Sequence, residues 1–389
     1  MLKTARSHSG VARYEDLVPD PRGKSTGWAA RLQQEVLTAT CWLDPSGAPS
    51  STNVEIVFSG RRVGATGKPH TGDRFSKKET VETIPGTSPI SVTTRVTGVN
   101  QGEWVVTARP AGRAKIHLLG PQPHQAAGAH ERDRMLLWPW RYRTLCAWTT
   151  DRVRTSLPPF APNPGIVPLV WSILAGVGII VGLAVQAALL ARAQLPVGAA
   201  SVVSLFALGA GMFGAKLWYV VGNRGQRFDG WCIQGFLFGA GLATAIIAPA
   251  MLTMSTGTYL DALAPGLLLG MAIGRVGCFF AGCCCGRATV SRWGVWSSDQ
   301  RIGRHRFPVQ LFEATLCLAI GVVTFIMVLL PVSVGPGTVF IGAVAAYTLG
   351  RQFLLPLRAK PRYFRWARSL VLVSSAIVLA FDISWLAHT

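Results

Sequence analysis

The sequence predicts a multi-pass α-helical membrane protein, with about seven transmembrane helices behind an N-terminal all-β, sandwich-like soluble domain. Three observations predict it. Half of the 389 residues are hydrophobic and only 14% are charged, which is low for a soluble chain. From about residue 165 onward, apolar runs long enough to cross a bilayer follow one another with short connections. Before residue 110 the apolar residues come instead in short pieces separated by turn-forming clusters.

Residues 1–30 are polar and contain no hydrophobic signal core, so a disordered start without a signal peptide is expected. Residues 31–110 carry VLTATCWL, NVEIVFSG, ISVTTRVTG and EWVVTARP between Pro, Gly, Ser and Asp clusters. That is the pattern of an antiparallel sandwich of five to seven strands. About eighty residues hold a modest core. The segment shows no catalytic constellation and reads as a binding or regulatory module whose partner is unknown. Residues 111–164 read as a linker and interfacial segment. The run from Pro110 to Ala129 is rich in Pro, Gly and His, Arg132 to Arg154 mixes Trp, Leu and Arg as headgroup-lying segments do, and a proline-rich break covers Pro158 to Pro164.

Residues 165–389 form the predicted seven-helix part, with spans at about 166–190, 199–222, 231–254, 260–281, 309–331, 337–357 and 366–387. Small residues recur at helical spacing, as at Gly235 and Gly239, Gly270 and Gly274, and Ala210 and Gly214. Such pairs let helix backbones approach closely in lipid.

Lys and Arg total 38 against 18 Asp and Glu, a formal charge of +20. No nucleic-acid motif surrounds the basic and aromatic residues, so the charge points to membrane flanks and anionic lipid rather than to nucleic acid. The eight cysteines follow neither a secreted disulfide framework nor zinc-ribbon spacing. Cys278 and Cys283 to Cys285 are soft ligands without a histidine partner nearby other than His305, and no metal is expected.

The stretch from Gly274 to Glu313 organises the rest. It reads GRVGCFFAGCCCGRATVSRWGVW, then a polar loop, then RHRFPVQLFEA. Arg275 lies near the end of an apolar run, where an arginine costs several kcal/mol on insertion scales and so faces a bundle interior or wet cavity. It either engages a phospholipid or pairs structurally with Glu313 or Asp261. Cys283 to Cys285 lie near Arg287 and Arg292, whose positive charge favours thiolate, and Cys278 is their nearest candidate partner.

This stretch resembles the signature of the prolipoprotein diacylglyceryl transferase family, with Arg275, Gly277, Gly286, Arg304, His305, Pro308, Gln310 and Glu313 matching by position. GAKLWYV, WCIQGFLFG and AYTLGRQFLLPLR are similar to further family motifs, so the likeness covers about residues 165–389. The chain is divergent and carries its β-rich N-terminal domain in addition. Gln234 stands where the family has a histidine, Cys278 where it has an asparagine and Cys283 where it has an acid. Ser172 replaces a tyrosine, and Leu355 an acid.

The resemblance implies transfer of a diacylglyceryl group from phosphatidylglycerol to the lipobox cysteine thiol of a preprolipoprotein, without a cofactor. Its partners would be that anionic phospholipid, the preprolipoprotein signal sequence and the bilayer of a bacterial plasma membrane. Arg275, Arg351, Tyr347 and Gln234 fall at catalytic positions. Gly277, Cys278, Gly286, Arg304, Gln310, Glu313 and Arg358 fall at substrate-binding positions. Two guanidiniums on different helices suit a phosphodiester, which they grip with forked donors. The alternative is a non-catalytic or redox-sensing membrane protein that retains the phospholipid pocket. Positive-inside reasoning puts the basic side, with the connections 223–230, 283–308 and 358–368, in the cytoplasm, whereas the resemblance implies that this side faces outward.

Overall fold

The computed structural model describes residues 35–43, 51–64, 72–84, 89–111, 152–157, 160–222, 231–330, 335–359 and 365–388. The expected disordered start, nearly all of the linker, and the interfacial segment up to residue 151 lie outside the described residues. The chain divides into two compact units: one takes in the residues up to Pro168 together with Ser298–His305, the other Leu169–Ser297 and Arg306–Thr389.

The first unit is all β. Its strands are β1 (Leu37–Leu43), β2 (Thr52–Arg62), β3 (Arg74–Thr83), β4 (Ile90–Val96), β5 (Glu103–Pro110) and β6 (Arg152–Arg154). One sheet runs β3-β2-β5-β6, and in the other β1 pairs antiparallel with β4. The alternating residues of each sheet explain the sandwich. Leu37, Ala39, Cys41 and Leu43 of β1 and Ile90 and Val92 of β4 share one buried core with Val54, Ile56 and Phe58 of β2 and Trp104, Val106 and Ala108 of β5. Strand β3 was not among the expected pieces, since RFSKKETVET is mostly polar. It is a strand because every second residue turns inward at its C-terminal end, Val81 facing Val54 across the ladder. Arg152–Arg154, expected at the membrane interface, instead pairs with β5 as β6.

The β unit also takes residues from far along the chain. After the short strand β7 (Val295–Ser298) comes β8 (Ile302–Arg306), whose Ile302 and Gly303 pair antiparallel with Val92 and Ser91 of β4. Thr93 donates its backbone N–H to Arg301 O at 2.7 Å. The Glu79 carboxylate, buried in the same unit, accepts from Arg301 Nη2 at 2.5 Å and from Thr94 Oγ1 at 3.0 Å. A buried charge without such partners would cost several kcal/mol, so Arg301 and Glu79 hold this excursion in place.

The second unit is helical: α1 (Val170–Arg192), α2 (Val197–Gly222), α3 (Ile233–Met251), α4 (Thr256–Phe280), α5 (Val309–Leu329), α6 (Thr338–Leu354) and α7 (Arg365–His388). Among the described residues, six helices, α1 to α6, are long and apolar enough to cross a membrane. Many of their large apolar side chains, such as Phe213, Phe238 and Ile326, are exposed, as the lipid-facing side of a bundle requires.

Glycine determines which helices touch. A Cβ on Gly266 of α4 would lie 2.3 Å from Gly182 O of α1, and one on Gly270 would lie 2.5 Å from Gly178 O. On α2 and α3, a Cβ on Gly214 would lie 2.4 Å from Gly235 O, and one on Gly239 would lie 2.4 Å from Ala210 O. The partner of Gly270 on the packing face is therefore Gly266, not Gly274, which has open space beside it. Gly266→Val should force α1 and α4 apart and lower stability by about 1–3 kcal/mol, the usual range for overpacking. Thermal denaturation in detergent measures it, and an unchanged melting temperature would refute the close packing.

Several buried polar groups join helices within the bundle. Ser204 of α2 hydrogen-bonds Gln186 of α1 and Tyr259 of α4, each at 2.8 Å. Asp261 of α4 accepts the backbone N–H groups of Gly337 at 2.6 Å and Phe340 at 2.9 Å, capping the start of α6. Of the two acids considered for Arg275, Asp261 is thus committed elsewhere.

Candidate active site

The site is built at one end of the bundle by α4, α5 and α6. Arg275 sits in the last turns of α4, Glu313 in the first turns of α5, and Tyr347 and Arg351 in the last turns of α6. A 3-10 turn, Leu355–Leu357, ends α6 and delivers Arg358. All three arginines turn to one carboxylate. Glu313 lies 3.0 Å from Arg275 Nη1, 2.5 Å from Arg358 Nη2 and 3.9 Å from Arg351 Nε. Arg275 Nη2 also donates to Tyr347 Oη at 3.4 Å.

Exposure separates the two kinds of charge. The Glu313 side chain is 1% exposed, whereas those of Arg275, Arg351 and Arg358 are 18%, 30% and 17% exposed. One sealed carboxylate under three partly accessible guanidiniums leaves a local excess of two positive charges. In a low-dielectric setting that excess favours an anion, and the planar guanidinium fork matches phosphate oxygens.

The loop that leaves α4 clamps Arg358 into this arrangement. Gly286 forms an isolated antiparallel bridge with Arg358. On either side of it Arg287 N donates to Leu357 O at 2.8 Å and Ala359 N to Cys285 O at 3.0 Å. Gly286 must be glycine, because a Cβ there would lie 2.0 Å from Phe307 O. Two side chains fasten the loop further. Gln310 donates from Nε2 to Cys283 O at 2.8 Å, and the fully buried Arg306 donates from Nη1 to Gly286 O at 3.3 Å.

Arg306 did not figure in the sequence reading. In RHRFP it stands two residues after Arg304, a spacing that puts both arginines on one strand face, so no local signal singles it out.

Three thiols gather at the same loop. Cys278 Sγ from the last turns of α4 and Cys283 and Cys284 Sγ from the turn beyond all lie within 4.8 Å of one another. The turn is tight, with Gly282 at φ 68° and Cys284 at φ 56°. Hydrogen bonds from the Cys278 and Cys283 thiols draw the Cys284 thiol well below its ordinary value, helped by the positive fields of Arg275 and Arg358. Hydrogen bonding to Cys278 and Cys284 pushes the Cys283 thiol up. The positive charges near Cys284 are therefore Arg275 and Arg358. Arg287 lies over the Phe307 ring at 5.6 Å and Arg292 over the Trp293 ring at 5.4 Å.

The structure thus brings together Arg275, Arg351, Arg358, Tyr347, Glu313, Gln310, Gly286 and Cys278. Gly277 is buried against α1, with its would-be Cβ 3.2 Å from Leu174 Cβ, and serves helix packing. Gln234 stands exposed at the start of α3, where it accepts from Cys232 Sγ at 2.8 Å. Arg304 lies on β8 in the β unit and donates from Nη1 to Glu82 O at 3.0 Å.

The fold and this cluster define a multi-pass membrane protein whose helix ends present arginines to an anionic group. The comparisons with known proteins identify the family. The model of the prolipoprotein diacylglyceryl transferase family matches residues 165–386, and the chain belongs to that family. Similar curated proteins are phosphatidylglycerol–prolipoprotein diacylglyceryl transferases. That of Tropheryma whipplei strain TW08/27 is 29% identical over 38% of this chain and 61% of its own length. That of Frankia alni is 27% identical over 55% of this chain and 63% of its own. That of Enterococcus faecalis is 30% identical over 45% of this chain and 72% of its own. The chain spans about three fifths of the length of the first two of these. The β-rich residues before 165 lie outside the family match.

Proposed function

We propose that this protein transfers the diacylglyceryl group of phosphatidylglycerol to the cysteine thiol of a preprolipoprotein in a bacterial plasma membrane. The observation that carries the reading is the sharing of buried Glu313 by Arg275, Arg351 and Arg358. In this reaction a thiolate sulfur bonds to the glyceryl carbon, the carbon–oxygen bond to phosphate breaks, and the electron pair leaves on glycerol phosphate. The barrier is lowered by donors aimed at the phosphate oxygens where that charge develops. Arg275 and Arg351, from different helices, are placed to hold them, with Arg358 completing the positive rim. Glu313, pinned by three guanidiniums, acts as the fixed counter-ion that sets their orientation rather than as the proton acceptor. Tyr347 steadies Arg275 from the opposite edge.

Gln234, at the family's histidine position, cannot take a proton, so thiol activation falls to the positive field of the arginines. The non-catalytic or redox-sensing alternative draws no support from the relatives, which are named as transferases. The test uses membranes containing the protein, phosphatidylglycerol and a lipobox peptide. Mass spectrometry should show the peptide gaining a diacylglyceryl group with matching release of glycerol phosphate. An unmodified peptide with the protein folded would refute the proposal. Gln234→His should leave the rate unchanged or raise it, and a collapse of the rate with the fold intact would contradict the role given to Gln234.

A further inference from the structure

Cys278, Cys283 and Cys284 are unlike the other described cysteines. Cys41 and Cys317 are buried and belong to no such cluster among the described residues, and Cys232 lies at the start of α3. The three at the end of α4 instead have their sulfurs within 4.8 Å of one another, contributed by two buried or half-buried residues and one exposed one. Three thiol sulfurs at that separation fit a common soft cation. With metal–sulfur bonds of about 2.3 Å, tetrahedral ligands sit about 3.8 Å apart, so side-chain rotation of under about 1 Å closes the triangle.

The backbone is arranged for such convergence. Cys283 N donates to Cys278 O at 3.1 Å, closing the end of α4 into a turn. Cys284 then adopts φ 56°, a left-handed conformation that costs a non-glycine residue about 1 kcal/mol or more and persists only where its surroundings hold it. Gln310 fixes the loop from α5 through Cys283 O, and its Nε2 also donates to Cys285 Sγ at 3.5 Å, which engages the fourth thiol of the region outside the triangle. Exposed Cys284 gives an entry path from solvent, and buried Cys278 closes the far side.

We propose that Cys278, Cys283 and Cys284 form a trithiolate site for a soft, thiophilic d10 cation, distinct from the arginine cluster that the transferase reading uses. Sulfur-only ligation with no imidazole or carboxylate in the set selects such ions over hard divalent ones. A divalent ion held by three thiolates makes a complex of charge −1. The nearby guanidiniums of Arg275 and Arg358 compensate that charge, which makes three thiolates tolerable at this position. An occupied site would also lock the turn that carries Cys285 and Gly286, and through the Gly286 bridge the position of Arg358.

The test is metal binding by the full chain, purified in detergent, stripped with a chelator and kept reduced with a phosphine. Titration with Cd²⁺ should produce a thiolate-to-metal charge-transfer band that saturates at one ion per chain, and should protect Cys284 from maleimide. Cys278→Ser, Cys283→Ser and Cys284→Ser should each weaken binding at least about a hundredfold, whereas Cys285→Ser and Cys317→Ser should leave it within about threefold. Should the buried Cys278→Ser variant fail to fold, the exposed Cys284→Ser variant decides. Absence of the band in the wild-type protein, or a band that survives in Cys284→Ser, would overturn the site. None of these readouts depends on transfer activity, so failure of the transferase proposal would leave this result standing, and the reverse.

Discussion

Arg275→Ala should lower the rate of diacylglyceryl transfer by about a hundred- to a thousandfold while the protein still accumulates, folded, in the membrane. That is the usual cost of removing one preorganised donor from a developing oxyanion. The loss should fall mainly on kcat, since the phosphate charge grows only as the carbon–oxygen bond breaks. Arg275→Lys is the sharper variant. It keeps the positive charge against Glu313 but cannot span from Glu313 to Tyr347 and still present a forked edge outward, as Arg275 does with contacts at 3.0 Å and 3.4 Å. It should therefore fold as well as wild type and transfer at least about tenfold more slowly. Full activity in Arg275→Lys would mean that charge alone matters. Loss of folded protein in both variants would mean that Arg275 is purely structural, the other role the sequence allowed for it.

How much of this was legible beforehand depends on the range of the physical signal. Spanning helices announce themselves locally, through apolar length: all seven expected runs are helices in the described residues, and six of them, α1 to α6, are long and apolar enough to cross a membrane. The core strands β1, β2, β4 and β5 were equally visible through alternation and turn residues. Strand β3 was not, because its Lys77, Lys78, Glu79 and Glu82 mask a period of two. Strand β8 was invisible for a different reason. A few residues inside a polar loop carry no periodicity, and what makes them a strand is pairing with Ser91 and Val92, some two hundred positions earlier.

The site divides in the same way. Arg275 was picked out because a charge beside an apolar run is costly wherever it falls, whereas Arg351 and Glu313 entered through the resemblance to the family motifs. Their meeting on one carboxylate is a tertiary fact. So is the bridge from Gly286 that carries Arg358 in, and so is the departure of Arg304, a neighbour of the site in sequence, into the β unit. The cysteines show the limit most plainly. Spacing suggested Cys278 as a partner of the later run, but only the left-handed turn at Cys284 shows which two of the three later sulfurs face it.

Glu313→Gln should be the most destabilising single change at the site. The amide has nearly the shape of the carboxylate but leaves three guanidiniums facing one another without a counter-ion. Removing one partner of a buried ion pair costs about 3–5 kcal/mol, and the partial exposure of the arginines, 17–30%, puts the expectation near the lower end. In neutral detergent the variant should melt well below wild type, and transfer should fall with it, because nothing then holds Arg275, Arg351 and Arg358 in register.

The informative part is what restores it. If the cluster is an anion site, a ligand that binds the folded state stabilises by mass action, and it does so more where the internal carboxylate no longer competes. Phosphatidylglycerol should therefore raise the melting temperature of Glu313→Gln by more than it raises that of wild type, and phosphatidylcholine should do neither. Thermal denaturation in mixed micelles of each lipid measures this directly. Equal shifts for the two lipids would mean that the arginines exist to bury Glu313 and not to receive phosphate, and the transferase reading would lose the observation that carries it.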